Sequence, residues 1–335
     1  DRGRLAIVEG VGYPAPNRSH FRSMEIWHAA STDNAVRDGW LGRLLDVTAH
    51  DSDSSWRSAN VGAMAPAAFA GGDTFVPSLQ SVPSYVLQGD PRLRRSVSAD
   101  RRIGDWAQLY AQQASAGGAL AMISETGLNA YQSTIDLGDD VAGYRPLVDY
   151  PDTPLGKALL TCAQLLGSSL GTHICYVTTG GFDSHSAQDS THPQLLGAVA
   201  EALAAFEADL EAHQTADDVS TLVWTEFGRR VRSNGSGGTD HGTAGPVFLL
   251  GGSVQGGLYG EPASLDKLDD NGDLRFTTDF RSIYASVIEQ WLGADANTVL
   301  GTRYPQLPIF GLTAACSVLR LWAEPTGIQG GIELA

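Results

Sequence analysis

Gly171-Thr-His-Ile-Cys-Tyr-Val-Thr178 and Val219-Ser-Thr-Leu-Val-Trp-Thr225 are both β-branched and apolar, the composition of strands packed on two sides. Between them Leu196, Val199, Leu203, Phe206 and Leu210 recur at steps of three and four, which predicts a helix over 193–213 with one face in the core. Strand, helix, strand is a βαβ unit, and its crossover implies parallel neighbours. Working outward, Pro246-Val-Phe-Leu-Leu-Gly251 reads as a third strand. A last helix, capped by Asp279, carries Phe280, Ile283, Tyr284, Val287 and Trp291 on one stripe. The expected fold is therefore α/β, a mainly parallel sheet flanked by helices.

With 335 residues, 42% hydrophobic and 18% charged, the chain can bury a substantial core, and its length fits one large domain with an insertion. The net charge of −16 argues against a nucleic-acid or anionic-membrane partner working through a basic surface. Cys162, Cys175 and Cys316 show no Cys-x-x-Cys spacing, so neither a disulfide framework nor a thiolate zinc site is expected. No apolar run is long enough for membrane insertion. Leu5-Ala-Ile-Val8 reads as a strand within the first residues of a chain without an initiating methionine, as if it were entered mid-domain.

The organisation expected is one domain over 1–311, with 51–150 as a helical and loop-rich insertion that shapes a substrate entrance. Within it and just after it, only 103–113 and 155–166 have clear helical spacing. Residues 312–335 follow the extended Tyr304-Pro-Gln-Leu-Pro-Ile-Phe310 without a period, and read as a tail, natural or left by cloning. Asp269-Asp-Asn-Gly-Asp273 resembles part of a calcium loop but lacks the distal glutamate, and reads as a surface turn.

In open parallel sheets ligands gather outside the carboxyl ends of strands, and three loops there are loaded with chemistry. They are Gly180-Gly-Phe-Asp183-Ser-His185, with His192 further on; Glu226-Phe-Gly-Arg229-Arg230; and Asp240-His241, reached through a glycine-rich run from Asn234. Carboxylates and imidazoles converging in this way make a mixed oxygen and nitrogen site for a divalent ion, zinc, manganese or iron(II) before magnesium. Each residue also has a plainer reading: Asp183 and Asp240 as caps, Glu226 paired with Arg229 or Arg230, His185 in an exposed loop, His192 at a helix start. Upstream, Asn17-Arg18-Ser19-His20-Phe21 puts Ser19 at a helix N-terminus, where free N–H groups and the helix dipole would favour an anionic ester and a serine nucleophile. Its plainer reading is an ordinary N-cap.

Gly180-Gly-Phe-Asp-Ser-His185, Thr225-Glu-Phe-Gly-Arg229, Gly238-Thr-Asp-His-Gly242 and Arg18-Ser-His-Phe21, in their order, resemble the bacterial family catalogued as domain of unknown function 1501. The resemblance spans about 4–311 and implies an alkaline phosphatase-like fold lacking its first strand, whose end would carry a metal-binding aspartate. It implies Asp183, His185, Glu226, Asp240 and His241 as metal-site residues, with His192 added from the loop reading, for zinc or manganese with calcium or iron as further options. Ser19 would be the nucleophile, with His20, Arg18 and Arg229 in the catalytic group and Arg18, Arg229 or Arg230 clamping the anion. The implied activity is metal-dependent hydrolysis of phosphate or sulfate esters, small-molecule or polysaccharide, in an exported or periplasmic protein. The alternative is a non-catalytic exported metal- or ligand-binding protein that keeps the fold.

Overall fold

The structure, a computed structural model, describes residues 3–50, 54–86, 97–115, 117–138, 141, 143–311, 318–323, 325–326 and 331–334. β1 (Leu5–Gly12) runs into α1 (His20–Ala29) and α2 (Trp40–Val47). β2 (Ser58–Val61) and β3 (Ser78–Leu79) precede α3 (Val97–Ala114), α4 (Gly118–Asp136) and α5 (Pro154–Leu166). β4 (Ile174–Gly180), α6 (Gln188–Ala212) and β5 (Val219–Val223) come next, then β6 (Arg229–Ser233) and β7 (Thr239–His241), which form a separate antiparallel ribbon. β8 (Gly245–Gly251), β9 (Gly257–Tyr259) and β10 (Thr278–Asp279) lead to α7 (Phe280–Ser286), a π-helical turn over Val287–Trp291, and α8 (Ala296–Leu300). β11 (Val318–Ala323), β12 (Pro325–Thr326) and β13 (Gly331–Leu334) are the last elements described.

The main sheet runs β10-β1-β8-β5-β11-β4-β13-β12, with β9 against β1 and β2 joining β3 to β4. β4 and β5 both run parallel to β11, which lies between them, so the βαβ reading of 171–225 stands and part of 312–335 is built into the sheet. A mainly parallel sheet is not what forms. β8 is antiparallel to both β1 and β5, and β13 is antiparallel to β4. The cause is connectivity: β5 reaches β8 through the β6–β7 ribbon, and without a crossover helix the chain returns in the opposite direction.

α6 begins at Gln188, not at Pro193, which sits inside it. A proline in the second turn forgoes one backbone bond without ending the helix, so the strongest start signal in the sequence lay too far along. Within 51–150, β2 pairs in parallel register with β4, while α4 is anchored where Trp56 Nε1 donates to Ser133 O at 3.0 Å. Helix forms well beyond 103–113, through α3 and α4.

The sheet is covered on both faces. Along β4, Ile174 and Tyr176 join one core with Trp27, Trp40, Tyr284 and Trp291, while Cys175 and Val177 join the other with Leu159, Leu203 and Phe206. This is period-two alternation in a strand buried on both sides. Among the described residues no helix is long and apolar enough to cross a membrane.

α6 carries two inward carboxylates with opposite fates. Asp209, fully buried, accepts from Tyr144 Oη at 2.7 Å, Tyr150 Oη at 3.0 Å and Leu147 N at 2.7 Å, and so ties 144–150 to the helix. Among the described residues Glu207 has no hydrogen-bond partner at Oε1, and burial pushes its carboxyl up to about 7. A carboxyl raised in the folded state favours folding while protonated, and that advantage disappears as pH climbs from the ordinary carboxylate range to about 7. Glu207→Gln should therefore match the parent near pH 4 and exceed it by on the order of 2–3 kcal/mol at pH 8. Urea unfolding across that pH range measures this, and equal stability at both pH values would refute it.

Candidate metal centre

The cluster forms where four chain segments meet. His20 is the first residue of α1; Asp183 and His185 follow β4; Glu226 follows β5; His241 ends β7, in register with Arg229 at the start of β6. The ribbon can hold Arg229 and His241 this close only because its base is glycine. A Cβ on Gly228 would strike the Ala244 carbonyl, and one on Gly242 would strike the Arg229 backbone.

Asp183 is the hub. Its Oδ1 lies 2.8 Å from His241 Nε2, 2.9 Å from His185 Nε2 and 2.9 Å from Arg229 Nη2, and its Oδ2 lies 3.4 Å from His20 Nε2. His185 Nε2 and His241 Nε2 are themselves 2.9 Å apart. His20, Asp183 and His241 each offer a ligand atom within 4.8 Å of the others, a group able to hold a metal ion. Among the described residues the buried His20 Nε2 has no hydrogen-bond partner, with Asp183 Oδ2 3.4 Å away.

The outer nitrogen of every ring faces an oxygen. His20 Nδ1 is 2.5 Å from Glu226 Oε1, His185 Nδ1 is 3.1 Å from Asp240 Oδ1, and His241 Nδ1 is 2.8 Å from the Arg18 carbonyl. Glu226, 1% exposed, also accepts from Thr225 Oγ1, while its carbonyl accepts from Trp27 Nε1 at 3.0 Å. The Phe227 ring lies 4.8 Å from that of His20 and 4.7 Å from that of His241, an apolar wall on one side.

Charge follows geometry. Burial alone would raise the Asp183 carboxyl, but hydrogen bonds from His241 and Arg229, then the charges of His241 and His185, pull it down to about 2. Burial pulls His20 down, yet the hydrogen bond and charge of Glu226, with Asp183 behind them, outweigh it and raise the imidazole above its ordinary value. Burial pushes Glu226 up against the pull of His20. The short Nδ1–Oε1 contact couples the protonation of the two groups.

Asp183, His185 and His241 come together as the sequence reading expects, and His20 joins them as a ligand-type residue. Glu226 and Asp240 stand behind His20 and His185 and do not face the cluster. Arg229 fixes Asp183, and also donates to the carbonyls of Phe182 at 2.7 Å and Thr239 at 3.0 Å. His192 lies on α6 outside the cluster, edge-on to Phe182 at 5.9 Å, and is lowered by burial and by Arg229. Ser19 is the exposed N-cap of α1, and its hydroxyl makes no capping bond. Arg18 turns its guanidinium to Asp273 instead, at 3.1 Å. Asp273, in the segment read as a bare surface turn, is 1% exposed and also holds Arg230 Nε at 2.9 Å. Only its spacing in an acidic turn hinted at it.

Fold and site together define a mixed α/β protein with a histidine–carboxylate cluster at the carboxyl ends of its strands. Residues 7–271 match the family described as Protein of unknown function (DUF1501), and the chain belongs to that family. Neither curated proteins nor solved structures give a match.

The His20–Glu226 contact makes a titration prediction. In chelator-treated protein, His20 should titrate above the ordinary imidazole range. Glu226→Gln should move it down past that range, because burial then meets only the weaker pull of Asp183. NMR of the ring C–H signals follows this directly, and an unchanged His20 titration in the variant would contradict it.

Proposed function

We propose that this chain is a metal-dependent hydrolase of phosphate or sulfate esters, of the alkaline phosphatase and sulfatase type, working as an exported protein. The observation that supports this reading is the set of acceptors behind the imidazoles. With Nδ1 of His20, His185 and His241 each facing an oxygen acceptor, a neutral ring would carry its proton there and turn the Nε2 lone pair inward. In that state the lone pairs meet one another and the Asp183 carboxylate, and either a bound cation or protonation of the rings must relieve them. Electron-rich atoms 2.8–2.9 Å apart repel unless positive charge sits among them, and Arg229 reaches only Oδ1.

The donor set fits a divalent ion. His20, Asp183 and His241 would hold it, with His185 alongside, and two or three imidazoles with a carboxylate suit zinc or manganese, with iron or calcium as further options. Such an ion supplies Lewis acidity toward an ester oxygen. The chain's own residues do the rest. Ser19 offers an unengaged hydroxyl at the N-terminus of α1, where the free N–H groups of the first turn favour an oxyanion. Glu226 keeps the proton on His20 Nδ1, Arg229 holds Asp183 in place, and Phe227 excludes water from the face of His20 and His241.

The second reading is a non-catalytic metal- or ligand-binding protein. It is favoured by Arg229, whose guanidinium already neutralises Asp183 at 2.9 Å and leaves less negative charge for an ion.

Purified protein should retain divalent metal through dialysis, and Asp183→Ala and His241→Ala should each strip most of it. A screen of aryl phosphate mono-, di- and triesters and aryl sulfates should reveal turnover that chelation abolishes and metal restores. Ser19→Ala should keep metal and fold but lose turnover by several orders of magnitude. Wild-type metal content in both ligand variants ends the metal reading. Metal retained with no turnover on any ester leaves the binding protein in its place.

A further inference from the structure

Arg18 and Arg230 flank residues of the cluster but turn their guanidinium groups away from it. Both are gripped by one buried carboxylate, Asp273, through Oδ2 to Arg18 Nη1 at 3.1 Å and Oδ1 to Arg230 Nε at 2.9 Å. Asp273 is in turn set by its own turn, where Asp269 Oδ1 accepts from Asn271 N at 2.9 Å and Asp273 N at 2.8 Å. Asp273, 1% exposed, is paired by both guanidinium groups, which still keep N–H groups that it does not use. Those groups are reachable: the Arg18 and Arg230 side chains are 39% and 31% exposed. Among the described residues Arg18 engages only Nη1, and Arg230 only Nε and Nη2, the latter on the Asn271 carbonyl.

Their position relative to Asp183 is fixed by two observations. His241 meets Asp183 through Nε2 and the Arg18 carbonyl through Nδ1, so the Arg18 backbone stands across the width of one imidazole ring from the hub, with its side chain running on to Asp273. Arg230 follows Arg229 on β6, and successive strand residues point to opposite faces, so Arg229 turns to Asp183 and Arg230 to Asp273. The pair is therefore tied to the cluster through the Arg18 backbone at His241 and through the chain next to Arg229, with both guanidinium groups turned to Asp273 and not to Asp183.

We infer that Arg18 and Arg230, positioned by Asp273, form a second anion subsite, and that the natural substrate is an ester carrying a further anionic group one sugar or similar spacer away from the group at the cluster. This rests on the proposed ester-hydrolase reading for the first group, but the subsite itself is a binding feature and is testable without turnover. Asp273 is a positioning residue here: it touches the two arginines and not the ligand.

The test compares glucose 1,6-bisphosphate with glucose 6-phosphate by titration calorimetry on the protein as purified with its metal. Wild type should bind the bisphosphate more tightly by about tenfold or more, the worth of one or two charge-assisted hydrogen bonds. Arg230→Gln should erase most of that preference while the monophosphate affinity and metal content stay. Asp273→Asn, which keeps both arginines but releases them, should do the same; if it fails to fold, Arg230→Gln decides alone. Arg232→Gln, on the same strand and exposed, should change nothing. Equal binding of the two sugars by wild type, binding of neither, or a preference that survives Arg230→Gln overturns the inference. A retained preference without any ester turnover leaves the subsite standing and removes only the hydrolase reading, whereas turnover without a preference does the reverse.

Discussion

The Asp183 carboxylate is the point on which the site depends. Its Oδ1 is approached by Arg229, His185 and His241, which arrive from β6, from its own loop and from β7. An oxygen has two lone pairs, so three such neighbours oversubscribe it, and the arrangement persists only where charge compensates. Arg229 supplies part of that compensation and is itself held by two carbonyls, which makes it a brace between the β4 loop and the ribbon. Loss of Asp183 would leave a guanidinium and several imidazoles crowded around nothing.

Around this hub the chain places one acceptor behind each imidazole, and each comes from a different stretch: Glu226 after β5, Asp240 in β7, and the carbonyl of Arg18 before α1. This distribution explains why the two acidic residues most prominent beside the glycine-rich loops do not reach the centre. Their oxygens hold ring protons in place. A carboxylate behind a histidine fixes both the tautomer and the rotation of the ring, so the inner geometry is set from outside.

Much of this was legible in the chain itself. Buried strands are short apolar runs whatever their direction, so β4, β5 and β8 were found and the order β4, α6, β5 followed from the helix between the first two. Direction was another matter. The sense of β8 depends on the β6–β7 ribbon, whose Arg229-to-His241 sequence is polar and glycine-rich and reads as loop. For the same reason Pro193 misplaced the start of α6, since helix entry was decided by the loop after Asp183 and not by the proline. Loop residues with chemistry were recognisable by type: Asp183, His185 and His241 are together. Whether a carboxylate faces the centre or stands behind a ring is a matter of a few ångströms and has no sequence signature, so Glu226 and Asp240 were placed one layer too far in. Asp273 was missed because burial, not composition, makes it important, and an acidic turn usually faces water.

A chain of net charge −16 would at first sight repel the anionic esters proposed for it. Range decides the matter. At physiological ionic strength the Debye length is about 8 Å, so carboxylates scattered over the surface are largely screened from a ligand already at the cluster, while the groups touching it are not. Around the cluster the balance differs from the whole: Arg18, Arg229 and Arg230 stand against Asp183, Asp240 and Asp273, with Glu226 paired to His20, so cations and carboxylates are far more evenly matched than over the chain. The global charge then acts on solubility and on the rate of encounter, and the local balance acts on affinity.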